Sequence, residues 1–177
     1  FDGASFAAWP DGTLRGVAAS FREDLLLVDL DDPGPPCEPL GPASAEEAAV
    51  RAITLGIADY FAKSGFREAV VGLSGGIDSA VTAALAVRAL GREAVTGITR
   101  PSRYSSEGSV ADSRRLAQAL GIPLHVVPVE GVHAAYGEAL AGLWEAAGVD
   151  ATTTGIADQN VQARIRGNLL MAWSNRS

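Results

Sequence analysis

Leu73-Ser74-Gly75-Gly76-Ile77-Asp78-Ser79 decides the fold, because it joins an apolar run, Glu68 to Leu73, to a helix-patterned stretch, Asp78 to Leu90, that Gly91 stops. The run is short and uninterrupted, as in a strand buried on both faces, and the period then changes to that of a helix. The same alternation continues downstream. Ala94 to Thr99 reads as a second strand, Ser106 to Leu120 as a helix ended by Gly121, Leu124 to Val129 as a third strand, and Val132 to Ala147 as a helix. Ala157 to Trp173 reads as one long final helix, with no closing element after Ser174-Asn175-Arg176-Ser177. Strands alternating with helices imply parallel pairing by right-handed crossovers, hence an α/β fold with a doubly wound parallel sheet. In such sheets ligands bind beyond the carboxyl ends of the strands, where this seven-residue turn lies.

The turn is built for an anion. Adjacent glycines, Gly75 and Gly76, let the backbone turn sharply and present bare N–H groups; Ser74 and Ser79 add hydroxyls, and the helix that follows points its positive end the same way. No Gly-Lys-Ser/Thr follows, so this is not a Walker A loop, and the Gly-x-Gly-x-x-Gly dinucleotide fingerprint is absent. A carboxylate in an anion cradle is repulsive unless a divalent cation lies between them, which makes Asp78 the candidate Mg²⁺ ligand.

Upstream of the turn, Ser44-Ala45-Glu46-Glu47 has capping-box spacing and opens a helix that Gly65 ends. Asp31-Asp32-Pro33-Gly34-Pro35-Pro36 tolerates neither helix nor central strand, so residues 31–43 read as a linker. Before it, Ser5 to Trp9, the turn signal Pro10-Asp11-Gly12 and Leu14 to Ser20 predict a hairpin, and Leu25 to Leu30 a further strand. Some thirty residues of β structure are too few to bury a core, so residues 1–30 are expected to be the tail of a larger domain.

Composition narrows the function classes. The 177 residues are 47% hydrophobic and 20% charged, enough apolar material for one core. Fourteen Lys and Arg stand against 21 Asp and Glu, so the net charge of −7 disfavours non-specific nucleic-acid binding. The single cysteine, Cys37, closes no intrachain disulfide and anchors no structural zinc. No apolar run approaches the ~20 residues needed to cross a bilayer, and no basic-then-apolar leader opens the chain, so a soluble cytoplasmic protein without membrane partners is expected. His125 and His133 lack neighbours at metal-ligand spacing and read as core or surface. Tyr136 and Trp144, at helical spacing, read as packing, and Arg114-Arg115 as a solvated helix face.

Ser74-Gly75-Gly76-Ile77-Asp78-Ser79 resembles the PP-loop, Ser-Gly-Gly-x-Asp-Ser, of the N-type ATP pyrophosphatases, which adenylate a carboxylate or carbonyl oxygen and release pyrophosphate. Arg100-Pro101-Ser102-Arg103-Tyr104-Ser105-Ser106 and the helical segment Asn160 to Met171 are similar to the glutamine-dependent NAD synthetases within that group. The first 32 residues resemble the end of their nitrilase-like glutaminase domain. The resemblance implies a tail of that glutaminase domain over 1–30, the linker over 31–43 and a synthetase domain over 44–177, cut short at its C-terminus. It implies a ligase that amidates deamido-NAD to NAD⁺ through an acyl-adenylate, releasing AMP and pyrophosphate, with ammonia supplied from glutamine upstream. Another amide-forming PP-loop synthetase, such as one acting on a purine nucleotide (GMP synthetase), and a catalytically incomplete nucleotide-binding fragment are the alternatives.

Residue by residue, the resemblance implies that Gly72, Leu73, Ser74, Gly75, Gly76, Ile77, Asp78 and Ser79 wrap the phosphates of ATP, with Asp78 on Mg²⁺ and Ser74 and Asp78 as the catalytic candidates. Pro101 to Ser105 corresponds to a flexible loop whose Arg103 meets phosphate, and Asn160 and Arg164 fall where the family contacts deamido-NAD. On a helix these two share a face, whereas Arg166 stands about 200° around from Arg164 and is read as packing or a subunit contact. A homo-oligomer is expected. Gln159 stands where the family commonly carries an acid and is assigned no role. The family's downstream Thr-Gly-Asn-Lys-Ser-Glu-like segment, and the glutaminase Glu, Lys and Cys, are expected outside residues 1–177; Cys37 in the linker is not that nucleophile.

Overall fold

The computed structural model describes residues 2–32, 34–38, 41–42, 44–103, 105–148 and 155–176. Two compact units emerge, Phe1–Tyr60 and Phe61–Ser177.

In the first unit, β1 (Phe6–Ala8) pairs antiparallel with β2 (Leu14–Val17), with a register shift between Ala7 and Ala8. The Pro10-Asp11-Gly12 turn closes as its residue types predict: Gly12 N–H donates to the Trp9 carbonyl at 2.8 Å and Thr13 N–H to Asp11 Oδ1 at 2.9 Å. Leu25 to Leu30 forms no strand. Leu26 and Val28 lie over Gly16, where a Cβ would come within 3.0–3.1 Å of them, while Leu25, Leu27 and Leu30 are exposed. The alternation expected of a strand is therefore present without ladder hydrogen bonds. Of the linker expected over 31–43, Pro33, Pro39, Leu40 and Ala43 lie outside the described residues. Within it, Cys37 N–H donates to the Leu14 carbonyl at 3.0 Å.

Helix α1 (Ala45–Ser64) opens on the expected cap, Glu47 N–H donating to Ser44 Oγ at 3.2 Å. It carries acids in its first turn and Lys63 in its last, matching its dipole.

The second unit holds three parallel strands in the order β3 (Ala69–Leu73), β4 (Val95–Thr99), β5 (Leu124–Val126). Gly72 lies opposite Ile98, and Ile98 opposite His125. β5 is shorter than the sequence predicts, since Pro128 cannot donate to a ladder; Val127 N–H and Val129 N–H still reach the carbonyls of Thr99 and Pro101. Helices α2 (Ile77–Leu90) and α3 (Glu107–Leu120) cover one face, where Leu73, Ala83, Ala86, Val95, Ala117 and Ile122 form the core. Each fully buried Leu or Val there contributes roughly 1.5–3 kcal/mol. Small Ala83 and Ala86 bring α2 close to the sheet. On the other face lies α5 (Ile156–Ser174), which packs with α4 (Glu130–Ala146) and whose Leu170 approaches Gly72 and whose Leu169 and Trp173 flank Ile98. Helices on both faces of a parallel sheet make this an α/β protein, and the carboxyl end of β3 carries the turn at residues 74–76. No helix among the described residues is long and apolar enough to cross a membrane.

Candidate nucleotide site

The turn between β3 and α2 is held by its own serines. Ser79 Oγ donates to the Gly76 carbonyl at 2.9 Å, accepts from Ser74 N–H at 3.2 Å, and lies 3.1 Å from Ser74 Oγ, which itself accepts from Gly76 N–H at 3.3 Å. The two hydroxyls thus close the loop across five residues. No side chain caps α2, whose N-cap is Gly76, so the first N–H groups of the helix face outward without intrahelical partners. Ser74, Gly75, Gly76, Ile77 and Asp78 are all exposed. That combination suits an anion arriving from solvent.

The two glycines differ in what they allow. Gly75 adopts φ +79°, and a Cβ there would stand 2.6 Å from the Ser109 carbonyl oxygen and 2.7 Å from its Cα. The loop is therefore pressed against the first turn of α3, which is capped by Ser106 accepting from Ser109 N–H at 3.2 Å. Gly76, at φ −90°, would place a Cβ 3.4 Å from Ser74 Oγ, an ordinary contact.

Beside the loop, at the ends of β3 and β4, a cavity of about 280 Å³ is lined by Leu73, Ser74, Thr99, Arg100, Pro101, Ser105, Ser109 and Arg166. Arg100 and Arg166 are laced together: Arg100 Nη1 donates to the Arg166 carbonyl at 2.7 Å, and Arg166 Nε to the Arg100 carbonyl at 3.4 Å. Arg166 Nη2 also reaches Ser102 Oγ at 3.1 Å and Gln162 Oε1 at 3.4 Å. Gln162, itself buried, donates to Asp158 Oδ2 at 2.9 Å, and Asp158 Oδ1 lies 2.6 Å from His133 Nε2. A continuous chain of polar contacts thus runs from α4 through α5 to the cavity. Burial, and then the neighbouring Arg166, pull the Arg100 guanidinium below its usual pKa.

The remaining candidates lie apart from this cavity. Asp78 is exposed, and its carbonyl accepts from Thr82 Oγ1 at 2.8 Å. Arg103 pairs with Glu130 at the start of α4. Tyr104 lies outside the described residues. Asn160 and Arg164 are both exposed on α5, and Arg164 Nη1 folds back onto the Asn160 carbonyl at 3.0 Å. His133 is held by Asp158, His125 stacks at 4.9 Å on Trp173, and Arg115 pairs with Asp112. No three His, Cys, Asp or Glu side chains cluster as a metal cage among the described residues.

The Arg103–Glu130 pair carries a pH dependence. The hydrogen bond from Arg103 lowers the Glu130 carboxyl below its usual value of 4.5, so whatever stability the pair adds is full above that value and lost as pH falls through the lowered one. Acid titration followed by thermal melts is expected to show a small loss below about pH 4.5 that Glu130→Gln removes; an exposed pair contributes little at neutral pH.

The family model described as NAD synthase matches residues 49–177. The chain belongs to the NAD synthase family. Glutamine-dependent NAD(+) synthetases of Synechocystis sp. and Rhodobacter capsulatus are 43% and 42% identical to it over 181 residues, spanning 99% of this chain but 31% and 32% of theirs. A solved glutamine-dependent NAD+ synthetase from Acinetobacter baumannii, in complex with ADP, superposes with a TM-score of 0.84 at 31% identity, over 99% of this chain and 33% of that one. An NH3-dependent NAD synthetase from Campylobacter jejuni is similar over 71% of this chain and 50% of its own, with a TM-score of 0.61 at 28% identity. The chain thus spans about a third of the length of the curated relatives it matches.

Within this NAD synthase chain, two cavity residues escaped the sequence reading. Arg100 follows directly on the strand predicted over Ala94 to Thr99, at the strand end where ligands gather, and that position was the available signal. Arg166, read as packing or a subunit contact because it stands about 200° around from Arg164, packs within the chain against Arg100.

Proposed function

We propose that the protein amidates the nicotinate carboxylate of deamido-NAD to give NAD⁺, using ATP, and that residues 72–79 hold the phosphates. The supporting observation is the β3–α2 turn, with its exposed backbone, paired serine hydroxyls and uncapped helix start at the carboxyl edge of the sheet. The mechanism follows from the chemistry of the bond. A carboxylate resists amide formation because its leaving group would be oxide. Attack of that carboxylate oxygen on the α-phosphorus of ATP breaks the bond to pyrophosphate and gives an acyl-adenylate; ammonia then displaces AMP.

The chain's own residues position and neutralise. The uncapped N–H groups at the start of α2 and the Ser74 hydroxyl donate to the departing pyrophosphate, while Ser79 holds the turn through the Gly76 carbonyl, and this fixed orientation stabilises the in-line transition state. Asp78 is a single exposed carboxylate beside the loop, which fits Mg²⁺, a cation usually held by one or two carboxylates with waters and nucleotide phosphates completing its shell. When bound, Mg²⁺ supplies neutralisation of phosphate charge. Arg103 contacts phosphate once released from Glu130, and Asn160 and Arg164 hold the dinucleotide from one face of α5. Residues 1–30 are the end of a glutaminase domain that supplies ammonia from glutamine, 31–43 the linker and 44–177 the synthetase part, and the enzyme works as a cytoplasmic homo-oligomer.

Substrate choice is testable on α5. Arg164→Ala is expected to raise KM for deamido-NAD, or lower kcat/KM, by about 10- to 200-fold, the scale of a lost charge-assisted hydrogen bond. ATP affinity moves much less, Arg164→Lys rescues in part, and Arg114→Ala changes neither substrate. Product analysis with ATP, Mg²⁺, ammonium and either deamido-NAD or xanthosine monophosphate separates this function from that of a purine-nucleotide relative. NAD⁺ and pyrophosphate in equal amounts are expected; amidation of the purine nucleotide alone would refute the proposal.

A further inference from the structure

We infer that Arg100 and Arg166 form a two-guanidinium clamp on the polyphosphate of the nucleotide, additional to the contacts of the 74–79 loop. The inference rests on the proposed ATP-binding role of that loop and extends it to a second wall of the same cavity.

Four observations carry it. The cavity is lined by Arg100, Arg166 and the hydroxyl residues Ser74, Thr99, Ser105 and Ser109, and by no carboxylate residue among the described residues. Arg51, Arg92, Arg103 and Arg115 each pair with an acid, whereas Arg100 and Arg166 donate only to neutral oxygens among the described residues. Two like charges with no counter-ion are costly beside partly buried backbone, and a bound dianion removes that cost. Arg100 Nε is buried without a hydrogen-bond partner. Finally, Gly72 leaves room for this side chain: a Cβ there would overlap the Arg100 guanidinium, with Cζ only 2.8 Å away.

Planar guanidiniums match phosphate oxygens two at a time, which favours a phosphoryl group over a halide or a single carboxylate. Both ATP and a dinucleotide carry such groups. Ser74 lines the cavity as well as shaping the loop, so a ligand spanning both is the triphosphate end of ATP. Arg166 is kept in place by Gln162 and Ser102, neutral groups that orient it without cancelling its charge.

The test compares wild type, Arg100→Met, Arg100→Lys and Gly75→Val by calorimetric titration with inorganic pyrophosphate, ATP and deamido-NAD. It adds the rise in Tm that pyrophosphate gives each variant over its own ligand-free Tm, so that altered stability does not confound the result. Arg100→Met is expected to weaken pyrophosphate and ATP by about 10- to 100-fold, with Arg100→Lys intermediate and deamido-NAD changed less than threefold. Wild-type pyrophosphate and ATP affinity in Arg100→Met, with binding lost in Gly75→Val, would overturn the clamp and leave the loop assignment standing. Loss of deamido-NAD binding alone would overturn it by assigning the pair to the dinucleotide. Pyrophosphate binding insensitive to both Gly75→Val and Arg100→Met would refute the loop assignment itself.

Discussion

Gly75→Val is expected to abolish nucleotide binding and to destabilise the fold, while Gly76→Ala leaves stability within about 1 kcal/mol of wild type. The two adjacent glycines look equivalent in sequence, and only their surroundings separate them. At Gly75 any side chain meets two penalties. A left-handed φ of +79° costs a non-glycine residue roughly 1–2 kcal/mol. A Cβ 2.6 Å from the Ser109 carbonyl must also push the loop off the first turn of α3, at about 1–3 kcal/mol for such overpacking. The backbone cannot satisfy both without losing the arrangement in which Ser74 and Ser79 close the turn. Gly76 has neither constraint, being extended with ordinary space around its Cβ position. Denaturant melts and ATP titrations of the two variants check this; equal ATP affinity in Gly75→Val and wild type would make the loop a mere turn.

Asp78→Asn carries the second large effect. Asn keeps the shape of the side chain and removes its charge, so the fold and the melting temperature are expected to stay close to wild type, Asp78 being exposed in the first turn of α2. Magnesium-dependent pyrophosphate release is expected to fall by roughly 100-fold or more, since a metal contributes several kcal/mol of charge stabilisation to phosphoryl chemistry. Raising the magnesium concentration should recover part of the rate. Unchanged turnover at limiting magnesium would remove Asp78 from the metal site.

The parts of the fold legible in the sequence are those where local pattern and burial agree. β3 and β4 are short apolar runs bounded by glycine and charge, α2 and α3 stop at Gly91 and Gly121, and the Ser44 cap and the Pro10-Asp11-Gly12 turn close through the groups their residue types supply. Leu25 to Leu30 misled because alternation reports which side chains lie inward, not whether a neighbouring backbone is present to pair. In the site, the loop was legible because its glycines and serines act on groups within a few residues. The Arg100–Arg166 pair was not, because it joins positions 66 residues apart and exists only once α5 has packed over the sheet. Helical angle told correctly that Arg166 and Arg164 diverge; it carried no information on which of the two directions leads to the cavity.

Isotope exchange tests most directly whether the loop serves adenylation of the deamido-NAD carboxylate. Labelled pyrophosphate is incubated with the protein, ATP and Mg²⁺ in the absence of ammonia and glutamine, with and without deamido-NAD, and incorporation of label into ATP is followed. Reversible acyl-adenylate formation predicts exchange that requires deamido-NAD and is lost in Gly75→Val. Exchange that is indifferent to deamido-NAD, or that is supported by xanthosine monophosphate in its place, would contradict it.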